Sequence, residues 1–319
     1  MSGAEKVKLS VCIVTYNHER FIERTIESVL AQKCSFFFEI LIADDCSTDN
    51  SRKILKGYFE KYPDKIKLLF AEKNMGVNSI AREVFKNCGG KYIAFLDGDD
   101  YWIYEEKLQK QIDFLEKNPD YMGCFHDAEI VSTPEADILK HNQYHQEYKY
   151  YSQFNRYRSD FFPSDVIERN IIPTASLVVR NSNKIFDFFE AYYDITLSLS
   201  WAFQIFMVKD SKYYYFNEPL SVYNDHPGGI SKTIPLNTFK LSNIKVLKRF
   251  VGHIYSRNQY SFYHTIASEY LQILYNKQNT QMKFAAFFKY FILYTFYSLK
   301  SFHFQMKDIL NFRKNIKRG

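Results

Sequence analysis

The first 100 residues alternate strictly between short apolar runs rich in β-branched residues and segments whose apolar positions recur at helical spacing. Strand–helix alternation of this kind predicts a parallel sheet with right-handed crossovers and helices on its faces. We therefore expect an α/β fold. The runs that predict its first four strands are 9–15, 38–43, 65–70 and 92–96.

Polar clusters follow each of these predicted strands. The clusters are Thr15-Tyr16-Asn17, Asp44-Asp45, Asn74-x-Gly76 and Asp97-Gly98-Asp99. Because the carboxyl ends of parallel strands share one edge of a sheet, we expect these side chains to surround one crevice. Each cluster alone would also fit a helix cap, a turn or surface packing, but their coincidence favours a binding site. An aspartate that accepts from a base N–H, a tyrosine that stacks on it and carboxylates that hold a divalent cation suit a nucleotide.

In this order, the four clusters resemble the motifs of glycosyltransferase family 2, over roughly residues 1–105. The resemblance implies a GT-A fold, a Rossmann-like and mostly parallel sheet flanked by helices. It implies that Thr15, Tyr16 and Asn17 line the nucleoside pocket beside Asn74 and Gly76, and that Asp45, with Asp44, contacts the base. Asp97 would reach the ribose or diphosphate, and Asp99 would bind Mg²⁺ or Mn²⁺. The absence of Gly-x-Gly-x-x-Gly after the first strand argues against a dinucleotide-binding fold.

In the family that the chain resembles, the segment corresponding to residues 171–180 lies near the acceptor side. We expect residues 1–125 to form the nucleotide-sugar-binding half of the GT-A domain, 126–235 the acceptor-binding half and 236–319 a helical C-terminal region. The sequence further predicts a helix over 107–118 and strands over 121–131 and 171–180. The stretch 133–170 is weakly periodic and rich in tyrosine, which suits a loop that stacks on a sugar or an irregular surface.

The segment Asn224-Asp225-His226 resembles the family's Tyr-Arg-x-His segment, which implies that His226 is a further ligand of the metal or diphosphate. A loop histidine without a partner is the alternative. Asn224 stands where the family usually has arginine, which weakens the argument for a diphosphate contact there.

The general base is the second departure from the family. Members often have an acidic residue directly before a tryptophan, whereas this chain has Ser200 before Trp201, and serine alone has no useful basicity at neutral pH. Asp194 and Asp127, with Glu129, are the candidate substitutes. If none reaches the acceptor hydroxyl, the protein would be a non-catalytic nucleotide-sugar-binding or scaffolding pseudoenzyme.

Charge is distributed unevenly. Residues 236–319 carry 14 Lys and Arg residues against Glu269 and Asp308, a charge of +12, so the rest of the chain carries −6 of the total of +6. Within this region Phe284–Leu299 is almost wholly apolar, but sixteen helical residues reach only about 24 Å, short of a bilayer core of about 30 Å. We expect either a helix in the interface of an anionic membrane or a helix packed on the protein or in a homodimer. Nucleic acid is not an expected partner, because no binding motif accompanies the charge.

Five cysteines without a Cys-x-x-Cys pair argue against a disulfide framework or a zinc site, and no export signal precedes the first strand. We therefore expect a cytoplasmic protein, or one peripheral on the inner face of the cell membrane. Together with these observations, the resemblance predicts an inverting, metal-dependent glycosyltransferase of hexosyl or N-acetylhexosaminyl type. It would move sugar from a nucleotide-diphosphate donor, preferably a UDP-sugar, to a hydroxyl of a growing glycan or lipid-linked acceptor in bacterial surface polysaccharide synthesis.

Overall fold

The structure of the protein is a computed structural model. It describes residues 6–133, 149–150, 158–192, 197, 199–251, 258–276, 282 and 284–316. Asp194 and most of the tyrosine-rich stretch lie outside the described residues.

The described residues contribute nine strands to one sheet with the order β3-β2-β1-β4-β8-β6-β9-β5, and β7 pairs with β9. Its strands are β1 (Leu9–Thr15), β2 (Phe38–Asp44), β3 (Ile66–Phe70), β4 (Tyr92–Asp97), β5 (Tyr101–Trp102), β6 (Tyr121–Ser132), β7 (Asp160–Phe161), β8 (Val178–Arg180) and β9 (Lys212–Asp225). Strand β1 lies parallel between β2 and β4, and β2 is parallel to β3. Strand β8 is antiparallel to both β4 and β6, whereas β6 and β9 are parallel.

Helices connect the strands and cover the sheet. They are α1 (Ile22–Leu30), α2 (Ser51–Lys61), α3 (Val77–Lys86), α4 (Lys107–Lys117), α5 (Pro163–Glu168), α6 (Lys184–Tyr192), α7 (Leu199–Met207), α8 (Ile230–Thr233), α9 (Leu236–Phe250), α10 (Gln259–Tyr275) and α11 (Phe284–Ile316). The predicted α/β fold, a mostly parallel sheet flanked by helices with a helical C-terminal region, is confirmed.

The apolar runs fold as central strands because both faces of the sheet are covered. All seven residues of β2 are buried, as are six of the seven in β1. Helix α1 buries Ile22, Ile26 and Val29, which recur at helical spacing, against this part of the sheet. Truncation of a fully buried isoleucine such as Ile26 to alanine would cost about 2–5 kcal/mol.

One local prediction differs from the structure. The expected strand 171–180 is a 3₁₀ turn (Thr174–Ser176) followed by the short β8, because Pro173 has no N–H to donate to a sheet. Helix α2 begins at Ser51 after Asn50, so Ser47 and Thr48 lie in the loop before it. Both residues bond to Asn17, in the loop that follows β1.

The described chain divides into two compact units. The first comprises the described residues of Met1–Phe162, Ile171–Asp194 and Asp210–Lys232, and it contains the sheet. The second comprises those of Pro163–Asn170, Ile195–Lys209 and Thr233–Gly319, and it contains α7, α9, α10 and α11. Within the second unit, Trp201 Nε1 donates to the Val166 carbonyl over 2.6 Å. The functional division at 125 and 235 stays a prediction.

Candidate active site

The carboxyl ends of β1, β2 and β4 lie side by side. In the register of the sheet, Thr15 is opposite Asp44, and Val14 is opposite Asp97. The polar clusters that follow these three strands therefore meet at one edge. Open parallel sheets bind their ligands at this edge.

Asn17 joins the loops that follow β1 and β2. Its backbone N–H donates to Ser47 Oγ over 2.8 Å, and its Oδ1 accepts from the Thr48 N–H over 2.8 Å. Asn17 has a left-handed φ of 56°, which asparagine tolerates better than most residues. The preceding Tyr16 is 42 % exposed, so its ring is available to stack on a ligand.

Asp44 stabilises its own loop. It is fully buried, and its Oδ1 accepts from the Ser47 N–H over 3.0 Å and from Arg52 Nε. Arg52 also donates to the Ala71 carbonyl, so this one guanidinium links the loops after β2 and β3. The second oxygen of Asp44 has no partner among the described residues.

Asp45 holds the loop that follows β3. Its Oδ1 accepts from the Met75 N–H over 2.7 Å and its Oδ2 from the Gly76 N–H over 2.8 Å. The Gly76 N–H also donates to Asn74 Oδ1 over 3.2 Å, and Gly76 has a φ of 82°, a conformation that favours glycine. The predicted cluster at 74–76 is thereby fixed against the end of β2.

Asp99, His226 and His18 form a cluster at the same edge, although they follow β4, β9 and β1. His226 Nε2 lies 2.9 Å from Asp99 Oδ2, and His18 Nε2 lies 3.7 Å from the same oxygen. One ligand atom from each residue lies within 4.8 Å of the other two. The Phe21 ring packs against the His226 imidazole with 4.6 Å between ring centroids.

Asn224 connects the Asp97–Asp100 motif to β9. Its backbone N–H donates to Asp100 Oδ1 over 3.0 Å, and its Nδ2 donates to the Asp99 carbonyl. On the other side of the motif, Thr25 Oγ1 lies 3.0 Å from the Gly98 carbonyl oxygen and 2.8 Å from that of Asp100. Asn224 lies two residues before His226 in the chain, so its bond to the Asp99 carbonyl holds Asp99 near the end of β9 from which His226 projects.

A buried ion pair holds the segment around His226. Lys232 Nζ lies 2.9 Å from Asp225 Oδ2, and both side chains are almost completely inaccessible to solvent. Ser132 Oγ lies 3.3 Å from the same carboxylate oxygen. Because Asp225 directly precedes His226, this pair fixes the end of β9 from which the imidazole projects.

Gly98 has no room for a side chain. A Cβ there would lie 2.7 Å from Thr15 Cβ and Oγ1, and 2.8 Å from His18 Nδ1. The glycine therefore lets the end of β1 approach the acidic motif closely, so that His18 reaches Asp99.

Two carboxylates of the motif, those of Asp97 and Asp100, have a raised pKa. Burial and the charge of Asp99 raise the pKa of Asp97 to about 7, although a hydrogen bond with Thr174 acts in the opposite direction. Burial, and to a smaller extent the charges of Asp99 and Asp97, raises the pKa of Asp100 well above its ordinary value. Three acidic groups in so small a space create a potential that a cation would offset.

The histidines favour ionised Asp99, and His18 remains able to bind metal. Burial acts to raise the pKa of Asp99, but the His226 hydrogen bond and the charges of His18 and His226 outweigh it, and the pKa is lowered. Burial lowers the pKa of His18, which favours the neutral imidazole with its free lone pair.

The donor set fits a divalent cation. It offers one carboxylate oxygen and two imidazole nitrogens, and carboxylate suits Mg²⁺ and Mn²⁺ while imidazole suits first-row transition ions. Mn²⁺ meets both preferences better than Mg²⁺. The sequence predicted Asp99 and His226 as ligands, which the structure brings together, and it did not predict His18, whose one signal was its place directly after Asn17 at a strand end.

Asp127, one of the candidate bases, is not part of this cluster. Asp127 is buried on β6 opposite Pro219, in the middle of β9, and its Oδ1 accepts from the Ala128 N–H over 2.9 Å. Ser200 lies on α7 in the second unit, and Asp194 is outside the described residues. The identity of the base stays a prediction.

Comparison with known proteins identifies relatives of this chain. The chain is 28% identical over 225 residues to the uncharacterized protein Rv1520 of Mycobacterium tuberculosis, a match that covers 70% of this chain and 60% of the relative. It is 40% identical over 111 residues to the Escherichia coli UDP-Glc:alpha-D-GlcNAc-diphosphoundecaprenol beta-1,3-glucosyltransferase WfgD, covering 34% of this chain and 42% of WfgD. The chain thus spans about 60% or less of the length of these relatives.

A solved structure and a family model agree on the fold. The structure of S. aureus TarS 1–349 in complex with UDP-GlcNAc matches with a TM-score of 0.65 at 16% identity, covering 89% of this chain and 79% of that one. The family model for Glycosyl transferase family 2 matches residues 10–171, half of the chain. These residues include the clusters that follow β1, β2, β3 and β4. The chain belongs to glycosyl transferase family 2.

Proposed function

We propose that the protein is an inverting, metal-dependent glycosyltransferase acting in bacterial surface polysaccharide synthesis on the cytoplasmic side of the membrane. It transfers a hexosyl or N-acetylhexosaminyl group from a UDP-sugar to a hydroxyl of a growing glycan or lipid-linked acceptor. The observation that carries the proposal is the cluster of His18, Asp99 and His226 at the edge where β1, β2 and β4 end. Membership of the family and the reaction in the name of WfgD support it.

The nucleoside binds along the loops after β1, β2 and β3. Thr15, Tyr16 and Asn17 line one side, and the exposed ring of Tyr16 stacks on the base. Asp45, with Asp44, accepts from the base N–H, and Asn74 and Gly76 bound the opposite side. The bonds that Asp45 makes to Met75 and Gly76 use one lone pair of each carboxylate oxygen, so each oxygen can still accept from a ligand.

The diphosphate binds over the acidic motif. Asp99, His226 and His18 would hold Mn²⁺ or Mg²⁺, and Asp97 would contact the ribose or diphosphate. The bound cation supplies neutralisation of the charge that develops on the departing UDP. Asn224 holds the Asp99 backbone, and the pair of Asp225 and Lys232 fixes the end of β9, so that Asp99 and His226 stay within reach of one cation.

Transfer is a single displacement. A bond forms from the acceptor oxygen to the anomeric carbon while the bond from that carbon to the diphosphate oxygen breaks, which inverts the configuration. The proton of the acceptor hydroxyl passes to a carboxylate, for which Asp194 and Asp127 are our candidates. UDP leaves with the electron pair of the broken bond.

Donor binding is tested by thermal stabilisation. UDP and UDP-sugars should raise the Tm of the wild-type protein with Mn²⁺ and much less without it, because a ligand at 100 times its Kd stabilises the native state by about 2.7 kcal/mol. Asp99→Asn should lose the Mn²⁺-dependent part. Asp64→Asn, at an exposed position, is the charge-matched control and should behave as wild type. Equal stabilisation with and without Mn²⁺ would count against the site.

Ser200 favours a second candidate function, that of a nucleotide-sugar-binding or scaffolding protein without activity. UDP release decides between the two. A protein that binds UDP-sugars through Asp99 but releases no UDP with a broad panel of glycan and lipid-linked acceptors supports the second. Acceptor-dependent release of UDP supports the first.

A further inference from the structure

Helix α11 packs through one face within the second unit. It is 33 residues long, about 50 Å at 1.5 Å per residue. Its inner face contacts α10 through aromatic pairs: the Tyr297 ring lies 5.9 Å from that of Tyr270, and the Phe304 ring lies 5.3 Å from that of Tyr263. Ser301 is buried on the same face. One half of the circumference of α11 is thus packed against the protein, as one of the two expectations for this helix required.

The opposite face of α11 is apolar and exposed. Its large apolar side chains recur at spacings of three, four and seven residues, which places them on one stripe along the helix. Their exposed fractions run from 39 % to 81 %, whereas polar residues normally take such positions. The stripe consists of Phe284, Phe287, Phe288, Phe291, Ile292, Phe296, Leu299, Phe302 and Met306.

Lysines border this stripe on one flank. Lys289, Lys300 and Lys307 are separated by 11 and 7 residues, about three and two helical turns, so they lie in one row. The ammonium of Lys300 lies 4.8 Å from the centre of the Phe296 ring, which places its aliphatic stem beside the stripe. Over the whole of α11 the sequence has five basic residues and one acidic residue, Asp308.

We propose that this face of α11 lies in the interface of an anionic lipid bilayer. The stripe would enter the boundary between headgroups and acyl chains, and the lysine row would contact the anionic headgroups. In the part of the chain that is described, no helix is both long and apolar enough to cross a membrane. An apolar face bordered by a basic row is the pattern of a helix that lies along a surface.

The lysine row favours a membrane over a second copy of the chain as the surface that covers the stripe. Two such helices packed antiparallel about a two-fold axis would bring their lysine rows to the same edge of the interface. Like charges there repel one another. An anionic surface compensates the same row, which is why the charges favour lipid as the occupant.

Flotation of the full-length protein with vesicles tests the proposal. Vesicles of phosphatidylglycerol and phosphatidylcholine in equal parts should carry the wild-type protein, and vesicles of phosphatidylcholine alone should carry much less. Phe288→Gln/Phe302→Gln should lose binding to both. Lys289→Gln/Lys300→Gln/Lys307→Gln should bind the anionic vesicles on the order of a hundredfold more weakly, at roughly fivefold per lysine.

Matched variants separate the helix from general surface effects. Phe59→Gln/Phe186→Gln removes two exposed phenylalanines of the first unit, and Lys53→Gln/Lys56→Gln/Lys117→Gln removes three exposed lysines there. Both should float as wild type. Circular dichroism confirms that every variant is folded.

Three outcomes would overturn the proposal. One is equal binding to neutral and anionic vesicles, and another is equal loss in the matched variants. The third is a concentration-dependent dimer in sedimentation equilibrium that Phe288→Gln/Phe302→Gln abolishes, without vesicle binding by the wild type. That last result would assign the stripe to a second copy of the chain.

Discussion

Lys107 is a lysine in the core of the first unit, and its replacement gives a pH-dependent test of the structure. Its side chain is fully buried at the start of α4, with Nζ 3.9 Å from the centre of the Trp102 ring. Nζ has no hydrogen-bond partner among the described residues. Burial lowers the pKa of Lys107 to about 7, although the nearby Cys124 and Cys34 act to raise it. We predict that Lys107→Met stabilises the protein, and more so at low pH.

The magnitude follows from the two pKa values of Lys107. Its ordinary pKa is 10.5, so between pH 7 and 10.5 the unfolded chain holds a proton that the folded protein has lost. The free energy of unfolding of the wild type therefore rises with pH across this window, by about 1.4 kcal/mol per pH unit. Below pH 7 the burial of Lys107 costs about 4–5 kcal/mol, and at pH 9 about 2 kcal/mol. The advantage of Lys107→Met should thus fall by about 2.5 kcal/mol from pH 6 to pH 9.

Urea unfolding followed by tryptophan fluorescence measures this difference. The chain has two tryptophans, and in a Trp201→Phe background the signal comes from Trp102, directly beside Lys107. Any cation–π contribution from Trp102 belongs to protonated Lys107 and therefore acts through the folded-state pKa, so the two pKa values still set the pH dependence of the gain. Lys117→Met, at an exposed position on the same helix, should change stability by less than about 0.5 kcal/mol at either pH.

The reasoning is refuted if Lys107→Met changes the free energy of unfolding equally at pH 6 and pH 9. It is also refuted if the variant is less stable than wild type at pH 6. Either result would mean that Lys107 keeps its charge solvated in the folded protein.

Three further predictions concern the site. Gly98→Ala should destabilise the protein by about 1–3 kcal/mol in urea unfolding and weaken UDP binding, because its Cβ would overlap Thr15; Gly57→Ala, with open space around the new methyl, should be neutral or stabilising. His18→Asn should weaken Mn²⁺ binding in calorimetry by about tenfold or more while Mg²⁺ binding changes less, and equal losses would remove the imidazole from the ligand set. Lys232→Met should destabilise by about 3–5 kcal/mol with partial rescue in Lys232→Arg, and full stability in the methionine variant would contradict the buried pair.

The order of the elements could be predicted because each strand of the first four has its own apolar run and each helix its own periodicity. The strand ends could be placed at one edge because parallel connections leave no alternative. The position of β8 could not, since its three residues carry no pattern that selects an antiparallel place between β4 and β6. Pairing partners far apart in the chain are set by tertiary packing.

The candidate metal ligands could likewise be predicted only in part. Asp99 follows from a strand end, and His226 from a resemblance. His18 required knowledge that Gly98 has no room for a Cβ and that β1 runs directly beside β4. Ser47 and Thr48 have the composition of helix caps, and a loop 30 residues away in sequence decided their partners instead.

His226 lies 127 residues after Asp99, on the far side of the β6 region. During synthesis on the ribosome, the acidic loop and the first four strands emerge long before the imidazole that completes the proposed ligand set. A nascent chain can therefore form most of the sheet while the proposed cation site is still incomplete. If the protein acts as proposed, it cannot hold the cation with all three ligands until the end of β9 has left the exit tunnel.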